Sequence, residues 1–202
     1  MKIVHISQLY HPSIGGNQAY VTSLSEHLVQ LGEEVIVYTS NVVELTDILR
    51  KPSTDKLLPV AENINGVKVK RFRVNYGLKS FIFNFLNKIR GGHRLLNFIF
   101  REFLEYWNHG PITLSMFVAL MKDRPDLVMV SNNFVFQSVI GYWAKKWLKI
   151  PFVFVTITHT FHPFTHHPAL KKVLLYADLV IACTEFEKNF LINQGIKAEN
   201  IL

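Results

Sequence analysis

The chain has 202 residues, 49% of them hydrophobic and 18% charged, which is enough to bury a sizeable core and too apolar for a disordered chain. A single cysteine, Cys183, excludes an internal disulfide and fits a reducing compartment, and no run of about 18 apolar residues exists to cross a membrane. The formal net charge of +7 is concentrated: residues 63–101 carry nine basic residues and no acid, whereas 1–62 carry four against seven and 102–202 nine against eight.

In chain order, Ile3, Val4 and Ile6 form a short apolar run, as a buried parallel strand would. Met1 and Lys2 lead straight into it, which reads as a chain without a signal peptide. The loop His11-Pro12-Ser13-Ile14-Gly15-Gly16 comes next, then Tyr20, Val21, Leu24, Leu28 and Leu31 recur at helical spacing before Gly32, where a C-cap glycine is expected. Glu34-Val35-Ile36-Val37-Tyr38 reads as a second strand. Such a βαβ unit puts its first turn at the C-terminal edge of the sheet, where ligands of these folds bind. Adjacent glycines there let a ligand approach the backbone, and the helix N-terminus favours an anion or oxygen-rich group; a simple tight turn is the plainer alternative.

Residues 41–65 lose periodicity, with Pro52, Ser53 and Pro59 marking irregular structure. Residues 66–74 alternate, strictly at first, which predicts a strand with Val67, Val69, Phe72 and Val74 inward and the basic residues largely outward. Two amphipathic helices are expected over 78–107. Leu78, Phe81, Ile82, Phe85, Leu86 and Ile89 share one face of the first, with Gly91-Gly92 breaking it from the second. Stripes of this kind usually face a core. The local absence of acids favours an anionic membrane surface met by Lys79, Lys88, Arg90 and Arg94, at about 1 kcal/mol per basic residue. No nucleic-acid-binding module is evident, so nucleic acid is not the expected partner.

From Pro111 the pattern is regular: a helix to about Lys122, strands over 126–130, 151–157 and 179–183, and helices over 134–148, 170–176 and 185–193. That alternation predicts an α/β fold, a Rossmann-like doubly wound and mostly parallel sheet with helices on both faces. Asn200-Ile201-Leu202 reads as the start of another strand. Cys183 is expected as a small buried hydrophobe, and Trp143 with Trp147, at i and i+4, as core packing.

Four stretches together resemble family-4 retaining glycosyltransferases of the GT-B fold. They are Pro12-x-x-Gly15-Gly16-x-Gln18 with Leu24, Leu28, Gly32 and Val35; Arg124-Pro125-Asp126-Leu127-Val128; Ile150-Pro151-Phe152-Val153 leading to His159; and Ala177-Asp178-Leu179-Val180-Ile181 with Thr184, Lys188 and Gly195. The resemblance implies that residues 1–202 form the N-terminal, acceptor-side domain, with a basic helical insertion at about 78–107. It also implies that the C-terminal nucleotide-sugar domain lies elsewhere, beyond Leu202 or on a partner chain, so the chain alone should be inactive. It further implies a nucleotide-sugar cosubstrate rather than a tightly bound cofactor, a lipid-linked or saccharide acceptor, and a cytoplasmic location at the inner face of a membrane.

By position, the resemblance implies that Gly15 and Gly16 approach the donor diphosphate and that His159 hydrogen-bonds the transferring sugar. Gln18, Asn132 and Thr184 would then face the acceptor. Ser131-Asn132-Asn133 and Glu33 depart from the family pattern, which often has histidines at those places. The histidines at 159, 162, 166 and 167 invite a metal reading, but no carboxylate lies near and Pro163 prevents a regular helix, so no metal is expected. Two other functions fit less well. A dinucleotide-dependent oxidoreductase wants Gly-x-Gly-x-x-Gly and an acid ending the second strand, where this chain has Tyr38-Thr39-Ser40. A non-catalytic membrane-recruiting module would use the basic helices alone.

Overall fold

The computed structural model describes residues 1–49, 57–75, 113–131, 136–157, 163–166 and 168–202. The helical stretch expected over 78–107 therefore lies outside the described residues, as do Asn132 and His159. The described elements run β1 (Lys2–Ser7), α1 (Gly16–Gln30), β2 (Glu34–Ser40), α2 (Leu45–Leu49), β3 (Ala61–Ile64), β4 (Val67–Phe72), α3 (Leu114–Asp123), β5 (Leu127–Ser131), α4 (Phe136–Trp143), β6 (Phe152–Thr156), α5 (Pro168–Tyr176), β7 (Leu179–Ala182) and α6 (Glu185–Asn193). Helix α4 runs on into a π-helical turn, Ala144–Leu148.

The seven described strands form one sheet in the order β3-β4-β2-β1-β5-β6-β7. All pairings are parallel except β3 with β4. Strand β1 is central because its residues 3–7 are all buried, and it pairs with β2 on one side and β5 on the other. The chain winds outward from β1 toward β4, then returns to lay β5, β6 and β7 on the opposite side. That reversal creates a switch point between β1 and β5, where open α/β sheets form their ligand crevice. Ile201 bridges Val180 in parallel, so the last residues do pair with the sheet as expected.

Burial on both faces explains why the strands read as continuous apolar runs. One face carries the larger core, in which Val4, Ile6, Val128, Val130 and Phe154 meet side chains of α3, α4 and α5. The other is covered by α1, whose Val21 is fully buried among Tyr10, Val35, Val37, Val67 and Val69. Helix α1 ends where expected, since Gly32 takes a φ of +88°, a left-handed value that costs glycine least.

Two motifs that carried the family resemblance have a structural job. Asp126 accepts the Lys2 N–H through Oδ2 at 2.7 Å and donates its own N–H to the Lys2 carbonyl at 2.8 Å. Asp178 repeats this on Phe152, at 2.9 and 2.8 Å. Each aspartate thus extends a parallel ladder by one charge-assisted rung and fixes its register.

Three expectations are corrected. Arg71, expected outward with the other basic residues, is only 2% exposed. A strand's period of two puts it on the face of Val67 and Val69, while Phe72 turns to the opposite face and packs on Tyr38 with ring centroids 4.9 Å apart. Cys183 is exposed rather than buried, because β7 ends at Ala182 and the thiol sits on the turn into α6. Trp143 is core, but its stacking partner Trp147 is 54% exposed at the surface of the π-helical turn. Residues 41–65 also hold a short helix and the antiparallel strand β3, which lack the periodicity that would announce them.

Candidate functional site

The crevice at the switch point is built from the loop after β1, the first turns of α1 and the segment after β2. Gly16, Asn17 and Gln18 line a hollow of about 800 Å³ with Gln8, Pro12 and Ser13, closed on one side by Glu44 and Leu45 and on another by Ile157. A second hollow of about 680 Å³ shares Ser13, Ile14, Gly16 and Gln18 and runs along the outer side of α1 past Thr22 and Glu26. The loop tip stands between the two, with Ile14 99% exposed.

Neither glycine is explained by a tight turn. Gly15 has φ 164°, which is extended backbone, and Gly16 does not take a left-handed conformation. A Cβ on Gly16 would meet nothing within 4 Å, and one on Gly15 would touch only the flexible end of Gln18, 2.4 Å away at Oε1. The protein's own packing therefore does not demand glycine at position 16. What the absent side chain provides is open space beside the N-terminus of a 15-residue helix that no side chain caps, a place suited to an anionic or oxygen-rich group.

Below the loop a polar network joins the two sides of the switch point. The Asn17 Nδ2 group donates to the Ser131 carbonyl at 3.1 Å and lies 3.4 Å from Ser7 Oγ, so it spans the C-terminal ends of β1 and β5. One layer deeper, His5 is fully buried, with Nδ1 at 3.0 Å from Ser25 Oγ and Nε2 at 2.6 Å from Ser131 Oγ. Burial lowers its pKa from 6.5 to about 4, so the ring is neutral at pH 7. Ser13 fixes the loop from the other side, donating through Oγ to the Val43 carbonyl at 2.5 Å.

Of the residues singled out by sequence, Gly15, Gly16 and Gln18 come together here. Ile157, two residues before His159 in the chain, lines the same hollow. Thr184 is not brought in: it lines neither hollow, and its hydroxyl accepts the Glu187 N–H at 3.1 Å as the N-cap of α6, while Glu187 accepts the Cys183 N–H at 2.8 Å. That reciprocal cap is legible as Thr184-x-x-Glu187. Asn17, Ser13 and His5 were missed, although Ser13 and Asn17 both stand at unassigned positions inside the Pro12-x-x-Gly15-Gly16-x-Gln18 motif. Among the described residues no group of three or more His, Cys, Asp or Glu is placed to hold a metal ion. His166 instead lies edge-on to Phe190, with centroids 5.5 Å apart.

The family described as a glycosyl transferase 4-like domain matches residues 15–202. No curated protein matches the chain in sequence. In structure it is similar to sucrose-phosphate synthase from Thermosynechococcus elongatus, with a TM-score of 0.57 at 14% identity over 95% of this chain and 44% of that one. It is similar to Anabaena HepE in complex with UDP and glucose, with a TM-score of 0.56 at 17% identity over 100% and 43%. It is also similar to S. aureus MnaA with UDP, with a TM-score of 0.53 at 16% identity over 100% and 42%. The chain thus spans less than half the length of each of these proteins, and corresponds to about half of a GT-B fold.

Proposed function

We propose, given that this chain belongs to the glycosyl transferase 4-like domain family, that it supplies the acceptor-side lobe of a retaining glycosyltransferase. The observation that carries this reading is the open space at Gly16, at the switch point of the sheet, beside an uncapped helix N-terminus. A diphosphate and the sugar attached to it would come close to the backbone there, where a side chain would block them. The donor would be a nucleotide sugar. UDP and glucose bound to the Anabaena protein make UDP-sugars the first donors to test.

In the reaction, an acceptor hydroxyl oxygen bonds to the anomeric carbon of the sugar as the bond to the diphosphate breaks. The diphosphate leaves with the electron pair, and the hydroxyl proton is released. This chain would hold the reacting ends. Backbone at Gly15 and Gly16 would stand against the donor, and Gln18 and Asn132 would orient a saccharide or lipid-linked acceptor. On sequence grounds, His159 would hydrogen-bond the transferring sugar, where a fixed donor group stabilises developing charge. Thr184 stays in the proposed acceptor set with a narrower role: its hydroxyl accepts the Glu187 N–H at the cap of α6 and keeps its own proton to donate. A second lobe, on further sequence or a partner chain, would bring most of the donor contacts.

The test joins this chain to a GT-B donor lobe and measures transfer from radiolabelled UDP-sugars. The joined protein should turn over and the 202-residue chain alone should not; robust turnover by the chain alone would sink the half-cleft reading. In the joined protein, Gly16→Ala should leave stability within about 0.5 kcal/mol of the original, since the methyl meets nothing. Transfer should nevertheless fall roughly tenfold or more. A variant with full activity would remove the glycine loop from the site.

Membrane attachment belongs to the same proposal. No helix among the described residues is long and apolar enough to cross a membrane, and the acid-free basic sequence from Lys79 to Arg101 supports contact with an anionic surface. Binding to phosphatidylserine vesicles should fall with added salt and with charge reversal at Lys79, Lys88, Arg90 and Arg94. Binding indifferent to those four changes would reject that surface.

A further inference from the structure

Among the described residues, Arg71 is a buried cation beside the site. Its side chain has no solvent exposure, a position an arginine holds only when its charge is matched. Nη2 pairs with Glu62 of β3 and also donates to the His11 carbonyl at 2.6 Å, and Nη1 reaches the Pro59 carbonyl at 3.4 Å. One planar guanidinium therefore ties together the entry to β3, β3 itself and the segment leading into the glycine loop. Beyond His11, Ser13 is the next fixed point, with its hydroxyl on Val43 and its N–H on the Tyr10 carbonyl at 3.1 Å. Past Ser13, Ile14 is fully exposed and Gly16 has open space around it.

We propose that Arg71 is the positioning residue of the glycine loop: its bond to the His11 carbonyl sets the base of the loop, so that only the tip from Ile14 to Gly16 adjusts to a ligand. Arg71 acts through the backbone and is not a catalytic residue. That the loop faces a sugar donor belongs to the proposed transferase function; its anchoring stands on its own geometry, and the two can fail separately. Lysine is not equivalent, because its three donors sit on one nitrogen whereas these acceptors are met from two nitrogens of a planar fork.

The experiment compares Arg71→Lys with Glu62→Gln in the full chain by amide hydrogen exchange. Amides of β1 serve as the internal reference for global opening, and thermal unfolding is followed alongside. Both variants should unfold at lower temperature. Only Arg71→Lys should speed exchange at the Ser13 amide, which is bonded to the Tyr10 carbonyl, by roughly tenfold beyond the change in β1, the scale expected for losing a charge-assisted bond. Glu62→Gln should leave loop and β1 exchange moving together. If Arg71→Lys does not fold, Arg71→Met with Glu62→Leu removes both charges and should fold with the same selective loosening. Loop amides that track β1 in every arginine variant, or a loop loosened equally by Glu62→Gln, would overturn the assignment.

Discussion

Between pH 6.5 and pH 4 the folded chain is expected to lose about 3 kcal/mol of stability through one buried ring, that of His5. Its folded-state pKa is lowered from 6.5 to about 4 because burial in the sheet penalises the imidazolium. The direction depends on which state takes the proton. Above pH 6.5 neither state is protonated at this ring, and the stability is fully present. As the pH falls through that value the unfolded chain gains a proton that the folded chain refuses, and stability drains until the folded ring protonates near pH 4. The neighbours reinforce this. Ser25 and Ser131 can each give or take one hydrogen bond, which suits a neutral ring that donates at one nitrogen and accepts at the other. Urea unfolding at pH 7 and pH 4.5, for the chain and for His5→Gln, isolates the effect from carboxylates common to both. The variant should be less stable at pH 7 and lose less on acidification. Parallel losses in the two proteins would show that His5 does not govern the acid response. Because Ser131 also accepts Asn17 through its carbonyl, that acid loss should be felt first at the switch point.

Gly141→Ala should destabilise the fold by about 2 kcal/mol, against the direction of helix propensity, which favours alanine over glycine by about 1 kcal/mol. Gly141 lies in α4, where the helix presses on the sheet. An added Cβ would stand 2.4 Å from Phe152 Cε2, 2.8 Å from its Cζ and 2.7 Å from Val130 Cγ2. Both neighbours are 0% exposed inside the largest core cluster, so neither can swing aside. The helix must lift instead, and a close-packed core makes that costly. Thermal or urea unfolding of the variant gives the answer directly. A gain in stability would mean that α4 has room to spare above β5 and β6.

Gly16→Ala should behave in the opposite way, harmless to the fold and harmful to function. The same residue type at positions 16 and 141 answers to different causes, and sequence shows no difference between them. The contrast is set by what lies beyond each Cα, which depends on chain segments far away in sequence.

Short-range pattern along the chain was enough to specify most of the elements. Apolar runs marked β1, β2, β5, β6 and β7, helical spacing marked α1 and α6, Gly32 marked the end of α1, and alternation with helices implied a parallel sheet. These are local because hydrophobic period and backbone conformation are properties of neighbouring residues. The glycine loop was placed correctly at the C-terminal edge of β1 for the same reason. Long-range contacts alone settled that Arg71 is buried, that Asn17 spans β1 and β5, and that His5 sits between Ser25 and Ser131. In each case the partner is a residue or carbonyl on another strand, helix or loop, so its presence depends on sheet order. A charged or polar side chain satisfied across the fold looks in sequence like one bound for solvent, and only its distant partners tell the two apart.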